Sequence, residues 1–72
     1  MHNGDLIEII KARRNSLKIK QEGLAEMAGV GLRTLKQFES GKGNPTLETL
    51  QKLADALGLE LTFTLKKVKP EG

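Results

Sequence analysis

The stretch QEGLAEMAGVGLRTLKQFES, Gln21 to Ser40, decides the fold. Lys20-Gln21-Glu22 opens a short helix whose inward residues are Leu24, Ala25 and Ala28. Gly29 closes it, because a helix end often needs a residue of positive φ. Val30 is a buried plug in the turn. A second helix then runs from Gly31 or Leu32 to Ser40, turning Leu35 and Phe38 inward, and Gly41 stops it. A small residue, Ala25, sits where the second helix must approach closely.

On the N-terminal side, Asp5 reads as a helix N-cap with Glu8 three residues on. Ile7, Ile10, Arg14 and Leu17 follow on one face at helical spacing. Asn15-Ser16 weakens the end of that helix, and Ile19 packs inward from the connection. On the C-terminal side, Lys42-Gly43-Asn44-Pro45 is a loop and Thr46 the N-cap of a fourth helix. Its apolar stripe is Leu47, Leu50, Leu53, Ala54 and Leu57, closed by Gly58. The period then changes from 3.6 to 2. Leu59, Leu61, Phe63 and Leu65 alternate with Glu60, Thr62, Thr64 and Lys66, which predicts one β-strand. The expected organisation is a tail over residues 1–4, a helical domain over 5–58, a strand over 59–66 and a second tail over 67–72.

Seventy-two residues make one domain, and a chain this short buries only about 60% of its unfolded surface. There is no cysteine, hence no disulfide framework and no thiolate metal site. The N-terminus lacks the basic and apolar regions of a signal peptide, and no apolar run approaches a membrane span. A cytoplasmic location is expected, with no membrane partner. The net charge of +3 is unevenly spread: residues 11–44 hold eight basic and three acidic side chains, the remainder four basic and six acidic. The middle of the chain is therefore the side that would face a polyanion. A catalytic reading fails. No cysteine exists, the one histidine, His2, stands in a polar tail without a role, and Gly41-Lys42-Gly43 is too short for a phosphate-binding loop. No cofactor and no metal are expected.

Two short helices joined at Ala28-Gly29-Val30-Gly31 match the helix-turn-helix plan, in which a rigid pair presents its second helix to a groove about 12 Å wide. The resemblance goes further. Arg14 is followed by Gln21-Glu22-Gly23-Leu24-Ala25, Gly29-Val30, Thr34-Leu35 and Phe38-Glu39-Ser40-Gly41. Then come Asn44-Pro45-Thr46-Leu47 and Leu53-Ala54-Asp55-Ala56-Leu57-Gly58. From Ile10 to Leu61 the chain resembles the Xre/Cro-type helix-turn-helix family of phage and bacterial repressors. The implied fold is mostly α, a four-helix Cro/C1-type domain like that of lambda repressor, with the C-terminal strand added. Two positions depart from the pattern. Gly31 stands where Ser or Thr often caps the recognition helix, so that helix starts more loosely or offers its N–H groups to a phosphate. Gly23 replaces a usual acid and costs up to ~1 kcal/mol of helix propensity.

The resemblance implies roles. Leu32, Arg33, Lys36 and Gln37 lie opposite Leu35 and Phe38, at positions that similar repressors use on base edges. Arg33 suits guanine O6 and N7, Gln37 suits adenine, and Leu32 suits a thymine methyl. Lys20, Gln21, Thr34, Lys42 and Asn44 occupy phosphate-contact positions, which set register without reading sequence. Arg14 and Glu39, charged at inward-leaning positions, are implied to form a structural ion pair between the first helix and the end of the third.

A lone strand cannot satisfy its own backbone. Two copies of the strand pairing antiparallel would bury Leu59, Leu61, Phe63 and Leu65 and make a C₂ homodimer. Its recognition helices would then read a palindromic operator in double-stranded DNA. A strand directly after the fourth helix is also similar to HipB-type antitoxins, which repress their own operon and hold a kinase toxin. Three functions are thus expected in order: a repressor, an antitoxin with a HipA-like toxin as partner, and an interaction module that no longer binds DNA. Arg33 and Lys36 on the groove face argue against the third.

Overall fold

The computed structural model describes the backbone of residues 3–62, with side chains from Asp5 onward. Four helices follow one another: α1 (Asn3–Ser16), α2 (Gln21–Ala28), α3 (Leu32–Glu39) and α4 (Leu47–Ala56). Their inward faces meet in one core built from Ile10, Leu24, Ala25, Leu35, Phe38, Leu53 and Leu57. Leu24, Leu35, Leu53 and Leu57 are fully enclosed, one or more from each of α2, α3 and the α4 end. Burying a leucine side chain contributes about 1.5–3 kcal/mol, so these four are a large part of what holds α2, α3 and α4 together. Partly buried Ile7, Ile19, Ala28, Val30 and Leu50 complete the shell.

All four helices end the same way. The chain takes a left-handed residue after the last turn: Lys18 (φ 58°), Gly29 (70°), Gly41 (82°) and Gly58 (73°). The next residue then donates its N–H back across the turn: Ile19 to the Arg14 carbonyl (3.1 Å), Val30 to Ala25 (2.9 Å), Lys42 to Gln37 (2.9 Å) and Leu59 to Ala54 (2.8 Å). This is the Schellman closure, which satisfies carbonyls that a helix end leaves free. In three of the four cases the donating residue is apolar and packs on the core: Ile19, Val30 and Leu59. Each closure thus fixes both a helix end and the direction in which the chain leaves it. Lys18 is the exception in chemistry, since a residue with a Cβ pays a steric penalty in this region.

Several expectations change. Asp5 is not the cap of α1; the helix begins at Asn3, and Asp5 lies in its first turn, where its charge still favours the positive end of the helix. Leu17 is 42% exposed rather than inward, because α1 stops at Ser16 and the backbone reverses at Lys18. Leu47 is 49% exposed, standing at the first position of α4 before the stripe turns inward. Val30 is half-buried rather than enclosed. Thr46 does cap α4, its Oγ1 accepting from the Thr49 N–H at 3.1 Å. Gly31 is the N-cap of α3, in extended backbone (φ −62°, ψ 141°) and without a side-chain bond. Of the predicted strand, residues 59–62 carry no regular structure in the single chain, and residues 63–66 and the tail 67–72 lie outside the described residues. Leu59 and Leu61 are half-buried.

Candidate nucleic-acid interface

The two faces of α3 differ in kind. Leu35 and Phe38 are buried, while Arg33, Thr34, Lys36 and Gln37 are exposed. The helix holds one acid, Glu39, and this residue is only 6% exposed. Its carboxylate is fully engaged. Arg14 donates from Nε to Oε2 at 2.8 Å and from Nη2 to Oε1 at 2.9 Å, a bidentate fork. Gln21 Nε2 donates to the same Oε1 at 2.9 Å. The third guanidinium nitrogen, Arg14 Nη1, reaches the Ile19 carbonyl at 2.8 Å. One cluster therefore ties α1, the α1–α2 connection, the first residue of α2 and the last residue of α3. Its electrostatic result is that the outward face of α3 carries two positive charges, Arg33 and Lys36, and no exposed carboxylate.

Around that face the loop after α3 contributes Lys42, Gly43 and Asn44. Gly43 (φ 78°) lets the loop fold beside α3, with Gln37 Oε1 3.9 Å from where a Cβ on Gly43 would stand. Thr34, Gln37, Lys42 and Asn44 line one depression of about 50 Å³, together with Phe38, Gly43 and Pro45. The structure thus gathers four of the predicted contact residues, two from α3 and two from the loop after it. Lys20 and Gln21 stand apart from them, at the start of α2. Lys20 is exposed at the N-cap and makes no side-chain cap bond.

Two predicted contact residues have prior engagements. Leu32 is half-buried and packs on the core, so only part of its side chain is free for a base. Gln21 is half-buried, with one amide N–H already given to Glu39. Its second N–H is what it has left for a phosphate.

Another interaction is unmarked in the sequence. Arg13 Nε donates to the Leu57 carbonyl at 2.9 Å, across 44 residues. The acceptor is a main-chain oxygen, which no side-chain pattern marks. The only hint is the pair Arg13-Arg14 in the last turn of α1, since two consecutive side chains on a helix must point about 100° apart.

Comparison with known proteins agrees with this geometry. Residues 10–63 match the helix-turn-helix family model HTH_3. The chain is 37% identical over 54 residues to the cryptic phage CTXphi transcriptional repressor RstR of Vibrio cholerae, covering 75% of this chain and 48% of that one. It is 39% identical over 59 residues to repressor protein C2 of Salmonella phage P22, covering 82% of this chain and 27% of that one. An uncharacterized HTH-type transcriptional regulator of Haemophilus influenzae is 38% identical over 64 residues, or 89% of this chain and 65% of its own length. The chain therefore spans from about a quarter to about two thirds of the length of these relatives.

Proposed function

Because the chain belongs to the helix-turn-helix family of Xre/Cro type, we propose that it is a sequence-specific, non-enzymatic DNA-binding transcriptional repressor. The observation that carries this reading is the charge on α3: Arg33 and Lys36 point outward beside Gln37, while the single acid of the helix is taken inward by Arg14. An α-helix with its side chains is about 10–12 Å across, matched to the roughly 12 Å width of the major groove. Arg33 and Gln37 read base edges. Lys36 adds a base contact, and Leu32 offers its free edge to a thymine methyl. Thr34, Lys42 and Asn44 grip phosphate from the depression between α3 and the loop after it, and Lys20 and Gln21 do so from the start of α2.

One domain offers few contacts, and specific operator complexes of such folds use two half-sites. The reading therefore includes a homodimer formed through the segment that starts at Leu59, reading a palindromic operator. A toxin partner would add to this DNA chemistry rather than replace it.

The test is a mobility shift on the DNA immediately upstream of the chain's own gene, repeated with Arg33→Ala and Lys36→Ala. Each variant is expected to fold normally and to lose about 1–3 kcal/mol of operator binding, with Arg33→Ala also relaxing the base preference at one position per half-site. If both bind as tightly and as selectively as the unaltered chain, α3 is not the reading element. If the unaltered chain binds no duplex even at low salt, where phosphate contacts are strongest, the interaction-module reading takes its place.

A further inference from the structure

Arg13 and Arg14 are neighbours on α1, and they serve the ends of two different helices. Arg14 holds Glu39 at the end of α3, the reading helix. Arg13 holds the Leu57 carbonyl at the end of α4, where the chain turns toward Leu59. We infer that Arg13 is a positioning residue that sets the spacing between two reading heads, by fixing the direction in which the chain exits α4. The inference rests on the homodimer proposed above.

Three bonds define that exit. Leu57 offers its carbonyl to Arg13 Nε. Gly58 donates its N–H to the Asp55 carbonyl at 3.2 Å, and Leu59 donates to Ala54 at 2.8 Å. The last two are local to α4 and set the form of the turn and the direction of the chain within it. Buried Leu57 and half-buried Leu59 seat that turn on the core, and the Arg13 bond adds a tie from α1 that orients it further. The Arg13 guanidinium also lies against the turn itself, with Nη2 3.5 Å from where a Cβ on Gly58 would stand. A cation at this place is favoured by the negative end of the α4 dipole. Arg13 itself is exposed, so it adds little to the core, and its geometric effect can be separated from a stability effect. α1 is then a rigid link: one residue registers the reading helix and the next registers the exit. A small rotation at Leu57 moves the second reading head by a far larger displacement than it moves any core atom.

The experiment uses duplexes selected by the unaltered chain from a random pool. Each is tested as a single half-site and as a full site with its centre lengthened or shortened by one and two base pairs. The unaltered chain is expected to show a sharp optimum of spacing. Arg13→Ala is expected to keep its helical circular dichroism, its dimer mass and its half-site affinity. On the full site it is expected to lose roughly tenfold in affinity and to tolerate altered spacings that the unaltered chain rejects. Arg13→Lys keeps the charge without the Nε donor and is expected to fall between the two; it also decides the matter if the alanine variant does not fold. An unchanged spacing optimum and an unchanged ratio of full-site to half-site affinity in a folded Arg13 variant would overturn the inference while leaving the dimer intact. A flat spacing profile for the unaltered chain overturns the dimer itself, and the role of Arg13 with it.

Discussion

Arg14 grips Glu39 through two parallel hydrogen bonds of 2.8 and 2.9 Å, with side-chain exposures of 12% and 4%. Both charges are largely removed from water, and both are otherwise satisfied, by Ile19 on one side and Gln21 on the other. Removing one partner alone leaves the other buried and uncompensated. Arg14→Ala is therefore expected to cost about 3–5 kcal/mol, a large share of the roughly 5–15 kcal/mol that holds a domain folded. Replacing the pair together, as Arg14→Met with Glu39→Leu, is expected to restore much of that loss. Urea melts of the three variants check it, and an Arg14→Ala protein with an unchanged midpoint would contradict the ion pair's structural role.

Gln21 tests the same cluster from its third corner. Gln21→Ala removes one hydrogen bond to a carboxylate and is expected to cost about 1.5–3 kcal/mol. Gln21→Glu keeps the shape but sets a second carboxylate against Glu39, so it is expected to destabilise at least as much at neutral pH. A Gln21→Glu melt matching that of the original protein would show that the amide is not held by Glu39 in solution.

Glycine positions separate backbone strain from packing. At Gly29 a Cβ meets nothing within 4 Å, yet φ is +70°. Gly29→Ala is expected to destabilise by about 1 kcal/mol through the backbone alone. Lys18 has the mirror problem, a Cβ at φ 58°. Lys18→Gly is expected to stabilise by up to about 1 kcal/mol. Thermal melts that move these two variants in the same direction would refute the account of the helix ends.

At Gly31 the backbone is extended and a Cβ would stand 3.7 Å from Thr34 Oγ1, an ordinary contact. Gly31→Ser supplies the missing cap of α3 and is expected to add a few tenths of a kcal/mol. Chemical denaturation is the measurement, with a shift to lower midpoint as the contrary result.

Lys42 and Arg33 are expected to differ in the salt dependence of DNA binding. Lys42→Ala should weaken binding to all sequences nearly uniformly and reduce the slope of log affinity against log salt by about 1. Arg33→Ala should change base preference as well. A salt series over matched and mismatched duplexes separates the two, and equal slopes for Lys42→Ala and the original protein would remove Lys42 from the phosphate contacts.

The four helices were legible because their inward residues repeat at helical spacing and because Gly29, Gly41, Gly58 and Thr46 mark their ends chemically. Lys18 ends α1 without any such mark, which is why Leu17 was expected inward and lies 42% exposed. Asp5 looked like a cap because a carboxylate is favoured both at the cap and in the first turn, and sequence does not separate these. Arg13 was invisible as a contact because its acceptor is a carbonyl 44 residues away. The alternation over 59–66 has a different standing: a strand is defined by its partner, and in one chain residues 59–62 have no ladder to join.

Glu39 faces inward and Arg33, Lys36 and Gln37 face outward on the same eight residues. What α3 needs for folding and what it offers to solvent are thus carried by different side chains. The outward set is an interchangeable key on a fixed shank. On the proposed function, other side chains placed at 33, 36 and 37 are expected to leave Leu35, Phe38 and the Arg14 grip undisturbed. New operator preferences are then expected from a few substitutions, each nearly silent to stability.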